Sequence, residues 1–223
     1  MDRTRFEAVI RMNKALLVGI GALIGSVDAG AQSTTTLPFV THAAYFSAEM
    51  ALPGVLDPQV FVLAPNAPAA TGPQNIEHVA GIRNARISDD HGLPIYDAQH
   101  RALGMTLGQW LGARGAVTLT PLAVGGEKVK VELANLAPGA HFSLFENHFD
   151  QTPTAFTPLD GTGRSNSFRA RADGTASAVM FSPTRLTHAN AVLVVYHSDD
   201  KTHGNERGVI GVNAHHQLIA RVP

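Results

Sequence analysis

Polar and apolar residues alternate strictly along Lys128-Val129-Lys130-Val131-Glu132-Leu133, the pattern of a strand with one face buried and the other in water. The run from Ala191 to His197 does not alternate; it is apolar and rich in valine, which predicts a central strand buried on both faces. After the turn Asn135-Leu136-Ala137-Pro138-Gly139-Ala140, residues 141–149 resume an extended pattern. Residues 168–172 and 175–181 flank Asp173-Gly174 and read as a hairpin. Residues 216–222 supply a closing strand. Many short strands punctuated by Gly and Pro, with almost no helix, predict an all-β chain. The expected architecture is an antiparallel, Greek-key-like β-sandwich over residues 115–223.

Upstream of Gly115 the pattern loosens into an N-terminal extension, residues 32–114. Gln32-Ser33-Thr34-Thr35-Thr36 reads as a polar, flexible leader. Val60-Phe61-Val62-Leu63 is one strand among loops thick with Pro, Ala and Gly, and Ile95-Tyr96-Asp97 with Ala102-Leu103-Gly104 brackets a turn as a hairpin. Thr106 is placed to cap a short helix over residues 107–113, with Gly115 as its stop and Trp110 and Leu111 packing it down. No internal repeat is present.

The first 31 residues have a different character. Arg3, Arg5, Arg11 and Lys14 precede the uninterrupted apolar run at residues 15–24. Crossing a bilayer takes about 20 apolar residues, so this run is too short for an anchor and fits the core of a signal peptide. Ala29-Gly30-Ala31 supplies the small-x-small cleavage pattern, predicting a mature start at Gln32. Met12-Asn13-Lys14 makes a better signal start than Met1, so translation is open to either methionine. The expected location is periplasmic or secreted, with no membrane anchor after cleavage.

Composition narrows what the exported part does. Without the four basic and three acidic residues of the signal, 13 basic face 15 acidic side chains, a net charge of −2. That balance gives no electrostatic reason to bind nucleic acid or an anionic membrane. There is no cysteine, hence no disulfide framework and no thiol for lipid attachment. All 11 histidines lie beyond residue 31, and that excess is the one compositional feature pointing to chemistry.

The succession Leu136-Ala137-Pro138-Gly139-Ala140-His141, a phenylalanine-bearing strand, Ala172-Asp173-Gly174-Thr175-Ala176, Leu193-Val194-Val195-Tyr196-His197 and Gly208-Val209-Ile210-Gly211-Val212 resembles the layout of Cu,Zn superoxide dismutases. It is also similar to chordin-type CHRD domains, which are secreted sandwiches. The likeness covers residues 126–222. With Glu146 aligned to the dismutases' glutamate, their His-x-His pair falls on Ser143 and Phe145, and the paired cysteines are missing. The resemblance therefore implies the fold and not the copper chemistry.

Copper and zinc favour imidazole, and a site needs three or four ligands converging from separate strands or loops. His197 ends the apolar strand, His203 follows in the next loop, and His215-His216 opens the last strand. Side chains alternate along a strand, so only one of that pair shares a face with His197. Glu146 and His148 lie on one strand face near its end. The candidate metal ligands are thus His148, His197, His203 and His216, with His42, in the N-terminal part, expected to stand apart. Asp199 and Asp200 read as turn caps, and Asp160-Gly161-Thr162-Gly163 lacks the carboxylate repeat of a calcium loop. No Gly-x-Ser-x-Gly elbow is present. Two functions follow: a non-catalytic binding module using its end loops, or, as the alternative, a copper- or zinc-binding protein using loop histidines.

Overall fold

The computed structural model describes residues 33–223; the expected signal peptide lies outside the described residues. Two antiparallel sheets build the sandwich. The first runs in the order β1 (Thr35–Pro38), β9 (Arg114–Pro121), β10 (Glu127–Ala134) and β14 (Ala176–Ser182). The second runs β12 (Ala155–Pro158), β11 (His141–His148), β15 (Asn190–His197), β16 (Ala214–Arg221) and β2 (Val40–Thr41), with β13 (Ser167–Arg169) also pairing β11. From β10 the chain crosses to β11, returns to β14 beside β10, and crosses again to β15 beside β11. This all-β, antiparallel arrangement is the one the sequence pattern predicts.

Alternation on β10 sends Val129, Val131 and Leu133 inward against Phe142, Leu144, Val192 and Val194 of the second sheet. The outer face of that sheet is covered as well, with Phe145, Leu193, Val195 and Ile219 in a second apolar cluster. Every residue of β15 is buried, as an unbroken valine-rich run requires.

A third sheet, in the order β6 (Ile82–Arg86), β3 (Leu56–Leu63), β7 (Pro94–Tyr96) and β8 (Ala102–Thr106), comes from the extension, with a short ribbon of β4 (Ala70–Thr71) and β5 (Glu77–His78). Val60, Val62, Ile95 and Leu103 join the main core. The expected hairpin is β7–β8. Helix α2 (Leu107–Leu111) follows, where Thr106 Oγ1 accepts from Gln109 N at 3.3 Å and Gln109 Oε1 accepts from Thr106 N at 2.8 Å. Trp110 Nε1 donates to the buried Asp57 carboxylate at 2.8 Å. The extension and the sandwich thus share one interior.

Four expectations differ from what is found, the first being the end of α2, which falls at Leu111 with Gly112 as its cap, while Gly115 lies inside β9. The polar leader is strand β1, its threonines matched to β9 through the hydroxyl pairs Thr34–Thr120 and Thr36–Thr118. The two arms around Asp173-Gly174 do not form a hairpin: β13 pairs β11 in the second sheet, whereas β14 pairs β10 in the first. The turn itself is present, with Gly174 at φ +74°, and it carries the chain between sheets. Finally, a helix not expected from the sequence, α1 (His42–Glu49), is capped by Thr41 Oγ1 accepting from Ala44 N at 3.3 Å. No helix among the described residues is long and apolar enough to cross a membrane.

Candidate metal centre

Strand β15 delivers His197 to the end of the second sheet, in direct register with His141 at the start of β11. Ser143 is in register with Val195, so Ser143 and His197 occupy one face, diagonally across the strand pair. Ser143 Oγ and His197 Nε2 lie 2.7 Å apart, both buried. The other ring nitrogen, Nδ1, is buried with no hydrogen-bond partner. With Nε2–H donating to the hydroxyl, the lone pair stands on Nδ1.

The loop after β15 folds back over this ring. It is fastened where Ser198 N donates to Asn213 O at 3.0 Å and Asn213 Nδ2 donates to Asp199 Oδ2 at 3.1 Å. His203 Nε2 stands 3.2 Å from Asp199 Oδ2 and 3.4 Å from Oδ1, and its ring lies 5.1 Å from that of His197, centroid to centroid. One ligand atom from each of His197, Asp199 and His203 falls within 4.8 Å of the others, and among the described residues no other group of three does so.

Electrostatics prepares these groups for a cation. Burial, reinforced by the neighbouring His203, lowers the His197 pKa to about 4, so its ring is neutral at pH 7. Burial works against the Asp199 carboxylate, yet bonds from His203, Lys201 N and Asn213 hold its pKa below the ordinary value. A neutral imidazole beside an ionised carboxylate is a donor set suited to zinc or copper.

Of the four ligands expected from sequence, the structure brings together two, His197 and His203. His148 closes β11 at the end opposite His141, about 23 Å away at strand rise. There its Nε2 lies 2.8 Å from Thr157 Oγ1 and its Nδ1 lies 3.4 Å from Asn190 Nδ2. His216 does share the outer face with His197, being in register with Val195, but both its nitrogens are engaged. Nδ1 lies 3.4 Å from His42 Nε2, and Nε2 lies 3.0 Å from Arg207 Nη1. His42, expected to be remote, is therefore packed against β16. His215 faces the inner core beside Trp110 and Tyr196, with Nδ1 3.1 Å from Gln59 O.

Sequence reading missed Asp199 as a ligand, and Ser143 as the group that orients His197. The i, i+4 spacing of Asp199 and His203 was the available signal. Ser143 carried none, because its contact depends on strand register. A further cleft of about 730 Å³ opens between α2 and the turns at 135–140 and 173–174, with Tyr196 in its wall. No family model, curated protein or solved structure matches this chain.

Proposed function

We propose that this chain is an exported, non-catalytic binding module whose ligand is a copper or zinc ion held by His197, Asp199 and His203. The observation carrying the proposal is the convergence of three ligand atoms within 4.8 Å, one of them on a buried histidine that a serine hydroxyl orients. Two imidazoles and a carboxylate make three positions of a tetrahedral site and leave a fourth open for water or a partner's ligand. The dismutase-like succession of turns and strands in the sequence supports the reading as a scaffold for a metal ion. Ser143 and Phe145, standing where that family places two histidines, favour holding a metal over redox turnover. The 730 Å³ cleft favours a second reading, a small-molecule binder.

The test is metal analysis of protein purified from the periplasm without chelator or affinity tag, followed by titration of the stripped chain with zinc and with copper. One equivalent should bind at neutral pH. His197→Ala and His203→Ala should each weaken binding at least about tenfold, while His148→Ala should not. A stripped chain that binds neither metal at micromolar concentration sinks the proposal.

A further inference from the structure

Arg207 leaves the loop before β16 and sets its guanidinium over the ring of Phe156, the central carbon 3.3 Å from the ring centroid. Its Nη1 lies 3.0 Å from His216 Nε2. A guanidinium only donates, so His216 Nε2 accepts and the proton of this neutral ring sits on Nδ1, facing His42 Nε2. Both histidines are buried, and the proximity of Arg207 further disfavours a charge on either. Arg207 thus spends one donor on a neutral partner. Among the described residues no carboxylate forms an ion pair with it.

Beside it lies a cavity of about 420 Å³, walled by Arg207, Phe156, Thr154, Asn205 and Glu206. The Thr154 hydroxyl and the Asn205 amide make no side-chain hydrogen bond among the described residues, so both remain available as donors. Burial alone lowers the Arg207 pKa, to about 10, with no neighbouring anion opposing it. A half-buried cation without a counter-charge is unfavourable, and a planar fork held over an aromatic ring is preorganised for an oxyanion.

We propose that this cavity is a phosphate site, with Arg207 as the charged donor and Thr154 and Asn205 completing the cradle. Its ligand is inorganic phosphate or the terminal phosphate of a small phosphomonoester. Glu206, exposed at the rim, is the one acidic group in the wall. Its wall shares a loop with His203, since Glu206 N donates to His203 O at 3.1 Å, but no ligand atom of His197, Asp199 or His203 lines it and the inference does not depend on the metal.

The experiment titrates inorganic phosphate into the purified, metal-stripped chain, followed by amide NMR shifts at Asn205 and Gly208. Saturable shifts with a Kd of about 1 mM or tighter are expected. Arg207→Met removes the charge while keeping much of the side chain over the ring, and should weaken binding at least about tenfold. If that variant does not fold, Arg207→Lys, which keeps the charge and loses the fork, should still weaken phosphate measurably. Arg114→Met, the same change at an exposed arginine of the first sheet, should bind phosphate as the parent does. With glycerol 3-phosphate as the probe, tighter binding assigns the cavity to a monoester, and equal or weaker binding assigns it to the free anion. Absence of saturable shifts up to about 20 mM phosphate, or identical binding by Arg207→Met, overturns the site.

Discussion

The hydroxyl of Ser143 sits 2.7 Å from Nε2 of His197 across the β11–β15 pair, both side chains buried. That contact holds the ring in place, and with Nε2–H donating to the hydroxyl it leaves the lone pair on the buried, unpartnered Nδ1. Ser143→Ala leaves Nε2 without its partner, and an unsatisfied buried donor costs about 1–3 kcal/mol. Metal affinity should fall about 10- to 100-fold, the usual consequence of removing a group that orients a ligating histidine. Competition against a chromogenic chelator measures it. Unchanged affinity, in a variant shown to be folded, would mean that Ser143 does not set the tautomer.

Acid should unfold this protein early. Burial lowers the pKa of His42 to about 3 and of His215 to about 4, and that of His216 well below 6.5, against 6.5 in the unfolded chain. Below pH 6.5 the unfolded chain takes up protons that the native rings refuse, so stability falls as pH drops toward 4. Asp57 acts in the opposite sense. Burial raises its pKa from 3.8 to about 6 despite three donors, so the native state binds one proton in that window. With His197, also lowered by burial to about 4, four histidines stand against Asp57 and Glu146, whose carboxyls burial shifts the other way, leaving about two to three protons net, a slope of about 3–4 kcal/mol per pH unit around pH 5. Urea midpoints at pH 7 and pH 5 on metal-free protein test this. A flat profile over that range would contradict the neutral, buried state of these rings.

Much of the fold was legible because period-2 patterning states directly which faces are buried. Val129, Val131 and Leu133 point inward as their alternation requires, and β15 is covered on both sides as its lack of alternation requires. Strand partners were less legible. The residues around Asp173-Gly174 carry a turn signal that says nothing about whether the two arms stay together, and here they part into different sheets. Thr34, Thr35 and Thr36 look like a tail until β9 offers matching threonines. The site divides the same way. His197 and Asp199 to His203 are close in sequence and were within reach of reading, whereas the positions of His148 and His216 depended on strand direction and on the bulge near Val195.

Export makes a simple prediction. Protein recovered from the cell envelope or medium should begin at Gln32, as measured by intact mass. Recovery of chains that retain residues 15–24 would remove the signal-peptide reading and with it the proposed location.

The loop that carries His203 is held from below by a glycine. Gly163 has φ +69°, and a Cβ there would run into the backbone of Gly204 and Asn205. Backbone cannot swing aside as a side-chain tip can, so Gly163→Ala must push the 160–165 turn and the 203–207 loop apart. Asp160, whose carboxylate accepts from Thr162, Gly163 and Ser165, keeps its turn rigid and directs the displacement toward His203. Gly139→Ala is the matched control, since its φ is +71° and nothing lies within 4 Å of the added carbon. Both variants bear the cost of a left-handed alanine, about 1–2 kcal/mol. Only Gly163→Ala should also loosen the metal, because His203 moves relative to His197 and Asp199. Chelator competition on the two folded variants separates these effects. Equal affinities in both would show that the contact at Gly163 does not position the His203 loop.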